Sequence, residues 1–231
     1  AHIVDDILAR HQRQAHHPAL VPCKDVVNDV SWVAFICPRP EGVSLREWWN
    51  RRPPWRALWE AAGQVCHGLA ALHSHHVVHG DLRPEKIVVS AGGAVQIGRA
   101  PLFQHPTGFG PAAYRAPEQL RGHAATLRTD VYLLGLVLYE LLLGAPAFAA
   151  ESEELRLTLQ LYSLPQSPRT HWPEIPAELE ALLLKMLAVA PEDRYESALA
   201  VAAVYDHLAE VVLPRAGEGS RRGINPLTRP A

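Results

Sequence analysis

Apolar side chains recur along the chain at helical spacing in some stretches and in short β-like runs in others. Residues 3–14 set Ile3, Ile7 and Leu8 among polar neighbours, the pattern of a short helix. His17 followed by Pro18 predicts its end, because the residue before a proline is pushed out of the helical region. Residues 18–22 and 31–37 read as two short strands joined by a turn near Asn28 and Asp29. Ser44 is the expected N-cap of a helix with Glu47 in the capping-box position. The first long helix is predicted over residues 53–73, with Pro54 near its start and Leu58, Ala61, Ala62, Val65, Leu69 and Leu72 on one face. Residues 87–90 and 94–97 flank Gly92 and Gly93, a hairpin signal. Residues 101–114 are rich in Gly and Pro without periodicity and read as a loop. Thr129 is the expected cap of a helix running to Leu143 and stopped at Gly144. That helix is apolar nearly all round, so it is buried on most faces. Further helices are expected over 152–161, 176–189 and 197–212, and the Arg/Gly/Pro-rich residues from 214 onward read as a linker or disordered tail.

Composition narrows the class. With 231 residues, 48% of them hydrophobic, the chain can bury one sizeable core. A formal net charge of -2 gives no global basic field, which argues against nucleic acid as a partner. Cys23, Cys37 and Cys66 form an odd set without Cys-x-x-Cys spacing, which predicts a reducing compartment. The apolar run from Val131 to Leu143 is broken by Gly135 and Glu140, so no membrane span is expected, and no signal peptide is read at the start. The chain opens on Ala1 without a Met, which predicts a cut or trimmed boundary.

The stretch that gives these elements a meaning runs from Val77 to Val89. It contains His79, Gly80, Asp81, Leu82, Arg83, Pro84, Glu85 and Lys86 in order. This resembles the catalytic loop of protein kinases, His-Arg-Asp-Leu-Lys-Pro-x-Asn followed by a short apolar strand. Downstream, Ala116, Pro117 and Glu118 are similar to the Ala-Pro-Glu motif that closes a kinase activation segment, and residues 190–195 to the Asp-Pro-x-x-Arg turn. The order of motifs resembles bacterial-type Ser/Thr kinases. The resemblance implies an α+β kinase-like fold: a reduced small lobe over 1–37, a mainly helical large lobe over 38–213, and a tail over 214–231. It makes Glu118, Asp130 and Arg194 structural residues, with Arg194 paired to Glu118 and Asp130 bracing the loop backbone. It gives Asp81 the place of the base that takes the substrate hydroxyl proton, with His79 and Arg83 beside it.

Against that pattern, the positions of the two magnesium ligands carry Lys86 and Arg99, and Asp-Phe-Gly becomes Arg99, Ala100 and Pro101. Between Leu82 and Thr129 the acids are Glu85 and Glu118 alone. Pro111 replaces the threonine that contacts the catalytic Asp, and Gly80 replaces the Arg that receives an activation-loop phosphate. No glycine-rich loop or strand Lys precedes the first helix, and Leu8 falls where the pairing Glu belongs. The expectation from these departures is a pseudokinase: a non-enzymatic scaffold or allosteric regulator, without a magnesium site and with weak or absent ATP binding. The alternatives are a metal-independent or repurposed phosphotransferase using Asp81, Lys86 and Arg99, and a nucleotide-sensing module without catalysis.

Expected partners are proteins: an active kinase, a phosphothreonine-binding module or a linked domain. Expected placement is cytoplasmic, as a free protein or the cytosolic part of a larger one. Adjacent Trp48 and Trp49 cannot both face one interior, so one is a candidate partner surface. Thr107 is the obvious phosphoacceptor of its loop. His73, His75, His76 and His79 invite a zinc site, but no Cys or Asp cluster accompanies them, and no metal is expected there.

Overall fold

The computed structural model describes residues 17–22, 24–28, 33–98 and 111–213. The predicted helix over 3–14 and the tail from 214 therefore lie outside the described residues, and elements are numbered here within them.

A hairpin comes first. β1 (Asp25–Asn28) pairs antiparallel with β2 (Val33–Ile36), Asp25 opposite Ile36. The strand expected over 18–22 is not one. Its residues make a turn, Leu20 N–H to His17 C=O at 2.9 Å, and then a single parallel bridge from Leu20 to Ile97. Pro18 and Pro22 have no N–H to give a ladder, so pairing there stops at one bridge and the first strand begins three residues beyond Pro22.

A second sheet has the order β3 (Val43–Ser44), β4 (Ile87–Val89), β5 (Val95–Ile97), antiparallel throughout. Val43 faces Val89, and Ile87 faces Ile97. Ser44 ends β3 and caps α1 (Leu45–Asn50), its hydroxyl accepting the Glu47 N–H at 3.1 Å. The Glu47 carboxylate turns instead to Arg51 at 2.8 Å.

α2 (Trp55–Ser74) buries the predicted face and packs along a C-terminal helix, α7 (Ala198–Val212). Trp59 stacks on Tyr205 with ring centroids 4.2 Å apart, and the Tyr205 hydroxyl donates to the Trp59 carbonyl. α3 (Pro117–Leu120) is one short turn, and α4 (Leu127–Leu143) is the axis of the core. Every α4 residue from Thr129 to Leu143 is buried except Glu140. Fully burying one leucine such as Leu134 or Leu138 stabilises the fold by about 1.5–3 kcal/mol. At Gly135 a Cβ would lie 3.0 Å from the side chains of Met186 and Leu187, so a glycine is what lets α6 (Ala177–Met186) approach. α5 (Glu153–Tyr162), capped by Ser152, lies against α3 and the 3-10 turn Ala112–Tyr114.

α4 starts one turn earlier than expected. Thr126, not Thr129, is its cap, and the two threonines satisfy each other's backbone N–H groups. Thr129 is thereby inside the first turn, where its hydroxyl donates to Glu118 at 2.7 Å. Among the described residues no helix is long and apolar enough to cross a membrane.

Candidate active site

Asp130 enters the core in the first turn of α4, fully buried, and its carboxylate is consumed by the loop above it. Oδ2 accepts the His79 N–H at 2.6 Å and faces His73 Nε2 at 3.0 Å. Oδ1 accepts the Gly80 N–H at 2.7 Å. Gly80 has φ 72°, a left-handed conformation that glycine adopts without steric cost and that aims two successive N–H groups at one carboxylate. The Gly80 carbonyl in turn accepts from Gln119 Nε2 at 2.9 Å, which ties the loop to α3.

Both buried imidazoles are satisfied in the neutral form. His73 Nδ1 accepts the Ala198 N–H at 2.9 Å, so its Nε2–H donates to Asp130. His79 Nδ1 accepts the Asp81 N–H at 3.2 Å, so its Nε2–H donates to the Gly98 carbonyl at 3.0 Å. Burial lowers the His79 pKa from its ordinary 6.5, outweighing the opposite pull of Asp130.

Asp81 sits on this base, 2% exposed. Its Oδ1 accepts from Arg83 Nε at 3.1 Å, and Lys86 Nζ lies 3.8 Å from Oδ2. Arg83 and Lys86 are partly exposed, so the carboxylate is held between two cations that also face outward. The Lys86 carbonyl accepts the Gly98 N–H at 2.6 Å, anchoring the turn Pro84–Lys86 to the end of β5.

Below α3, Glu118 and Arg194 form a two-pronged pair, Nη1 to Oε1 at 2.8 Å and Nη2 to Oε2 at 3.0 Å. Arg194 donates also to the carbonyls of Arg128, Ala188 and Val189, and its guanidinium covers the Tyr132 ring at 4.7 Å. Burial works against the charge of Glu118, but the hydrogen bonds from Arg194 more than offset it and its pKa is lowered.

A second cluster went unread in the sequence. Arg46 of α1 donates to Glu140 of α4 and to the Tyr114 hydroxyl, Tyr114 donates to Glu140, and Arg46 Nε reaches Glu85 at 3.4 Å. Glu140 was the available signal, an acid set in the apolar run that follows the first turn of the helix. Its partners lie 94 and 26 residues away in sequence, beyond any local pattern.

The remaining predicted site residues scatter. Arg99, Ala100, Pro101 and Thr107 lie outside the described residues. Pro111 precedes the Ala112–Tyr114 turn and is exposed. Trp48 and Trp49 are both half-buried, each packing partly against the core and leaving part of its ring exposed. No group of three or more His, Cys, Asp or Glu side chains that could hold a metal occurs among the described residues.

The protein kinase domain family matches residues 5–206. The chain belongs to the protein kinase family. It is 32% identical to the probable serine/threonine-protein kinase PknB of Lactococcus lactis over 212 residues, 83% of this chain and 33% of that protein. It is 32% identical to the serine/threonine-protein kinase PknB of Mycobacterium tuberculosis over 208 residues, 82% of this chain and 33% of the relative. With the Mycobacterium leprae PknB the identity is 36% over 156 residues, 63% of this chain and 25% of the relative. The chain thus spans about a third of the length of the first two relatives.

These relatives correct three expectations. They are named serine/threonine-protein kinases, which overturns the reading of the chain as a non-catalytic scaffold or regulator and as a non-enzyme. Kinases of this family use ATP and magnesium, which overturns the expectation of no cofactor. Phosphoryl transfer rests on positioning and electrostatics, and the groups that position Asp81 are assembled here. Magnesium takes oxygen ligands in octahedral array. The resemblance places magnesium ligands at positions 86 and 99 and not at Asp81; Lys86 sets its ammonium 3.8 Å from Asp81, and Arg99 lies outside the described residues.

Proposed function

We propose that this chain is a serine/threonine-protein kinase domain, transferring the terminal phosphoryl group of ATP to a protein hydroxyl at Asp81. The observation that carries this reading is the fixation of Asp81: a buried carboxylate on a loop whose backbone is held by Asp130 and Gln119. The substrate oxygen forms its bond to phosphorus as the bond to the departing ADP breaks, and the hydroxyl proton passes to an Asp81 oxygen. Arg83 and Lys86 supply positive charge beside that carboxylate, where phosphate oxygens carry negative charge. We extend the reading to a small lobe over 1–37 and a large lobe over 38–213. The lengths of the relatives support a linked domain as a further partner. Use of ATP supports a cytosolic setting.

The test is transfer of labelled phosphate from ATP, with magnesium, to serine and threonine of a mixed protein substrate. Asp81→Asn is expected to lower transfer by about 10²–10⁴-fold, the usual contribution of a positioned base, without moving the thermal midpoint of unfolding. Undiminished transfer by Asp81→Asn, or none by the wild-type chain, would overturn the proposal.

A further inference from the structure

Arg156 and Gln160 stand one turn apart on the same face of α5. Gln160, fully buried, donates to the carbonyls of Ala113 at 3.1 Å and Arg115 at 3.3 Å, clamping the Ala112–Tyr114 turn to the helix. Arg156 points into the cavity that this clamp holds open, about 230 Å³, whose walls include Arg46, Tyr114, Leu136, Glu140 and Phe148. Glu140 is the acid in that wall, and its two oxygens are engaged by Arg46 and Tyr114. Arg156 Nε is shielded from solvent and has no hydrogen-bond partner. Arg156 is partly buried and has no counter-ion among the described residues, so a carboxylate placed against it would satisfy the buried Nε–H and offset the charge.

We infer that this cavity receives an acidic side chain, Asp or Glu, of the protein substrate. The inference rests on the kinase reading above and names the substrate class for that site. Three observations point to an acidic peptide. Arg46 is paired with Glu140 and Glu85, which leaves Arg156 as the cation of the cavity wall with no acid bound to it among the described residues. Leu136 and Phe148 give it an apolar floor that suits the methylenes of a carboxylate side chain. Its walls join the loop that holds Asp81: Arg46 reaches Glu85, and α3, directly after the Ala112–Tyr114 turn, is bonded to Gly80 through Gln119. A peptide offering its hydroxyl at Asp81 therefore runs beside this cavity.

The experiment uses fluorescent Ala/Gly peptides with one Thr and a single Glu moved through the flanking positions, each matched by a Gln twin. Binding to the whole chain is read by anisotropy without ATP, and phosphate transfer to the same peptides is read with ATP and magnesium. At one flanking position the Glu peptide is expected to bind roughly tenfold tighter than its Gln twin, the value of one charge-assisted contact. Arg156→Ala should erase that difference, and Arg156→Glu should shift the preference to a Lys peptide. Equal binding of Glu and Gln twins at every position would overturn the inference, as would discrimination that survives in Arg156→Ala. Glu preference without phosphate transfer would sustain the inference and remove the kinase reading. Transfer without Glu preference would do the reverse.

Discussion

The floor beneath the catalytic loop and the rim above it are built on opposite terms. In the floor, charge is buried and matched: Asp130 takes two backbone N–H groups and His73, and Arg194 spends its donors on Glu118 and three carbonyls. At the rim, cations outnumber the acids that face them: Arg83 and Lys86 share Asp81, and Arg156 faces a glutamate already engaged by Arg46. A paired floor fixes geometry, whereas a rim with spare positive charge is built to meet an anion from outside. The difference teaches where stability and where binding are stored.

The sharpest way to break the comparison is to cut the floor. Glu118→Ala strands Arg194, which is 3% exposed, and is expected to cost about 3–5 kcal/mol by urea unfolding, the usual penalty for halving a buried ion pair. A loss below 1 kcal/mol would mean that the carbonyls around Arg194 satisfy it alone.

Asp130→Asn comes next. The amide keeps the shape but offers one acceptor where the loop presents several donors, so about 1–3 kcal/mol should be lost for the group left unsatisfied. Faster hydrogen exchange at His79 and Gly80 should accompany it, and unchanged exchange there would argue that another group holds the loop.

Acid should attack the floor in two stages. His79 is held neutral, its folded pKa below the ordinary 6.5, so its contribution is complete above that pH and declines as pH falls below it. Glu118 has a folded pKa below 4.5, so its share is present above that value and is lost as pH drops through the folded pKa. A urea midpoint that stays level from pH 6.5 to 4.5 would show that His79 titrates as it would in the unfolded chain.

The smallest expected change is at the rim. Arg156→Ala removes a side chain that has no hydrogen-bond partner at Nε among the described residues, so stability should move by less than about 0.5 kcal/mol. A larger loss would place Arg156 with the floor.

Much of the fold was legible because its signals are local. The periodicity of α2 and α4 announced buried helices, and the hairpin of β4 and β5 was marked by Gly92 and Gly93. The motif resemblance carried the family and drew attention to Asp81, Glu118, Asp130 and Arg194. It also misled: the expectation of a non-catalytic scaffold is overturned by relatives named as serine/threonine-protein kinases. Trp48 and Trp49 show what pattern alone leaves open: a short helix on a curved core half-buries both of two adjacent side chains.

By itself, then, the sequence determined the longer helices and the hairpin of β4 and β5, the order of the loop, the Ala-Pro-Glu turn and Arg194, and the family. Spacing and propensity act over a few residues, and motif order does not depend on distance in space. Only the tertiary structure decided which of two threonines caps α4, because Glu118 captures the hydroxyl of Thr129. It alone brought Arg46, Tyr114 and Glu140 together across as many as 94 residues, and set Arg156 in the cavity beside them with no counter-ion among the described residues. Contacts between distant elements depend on how packed surfaces meet, and local pattern carries no record of that.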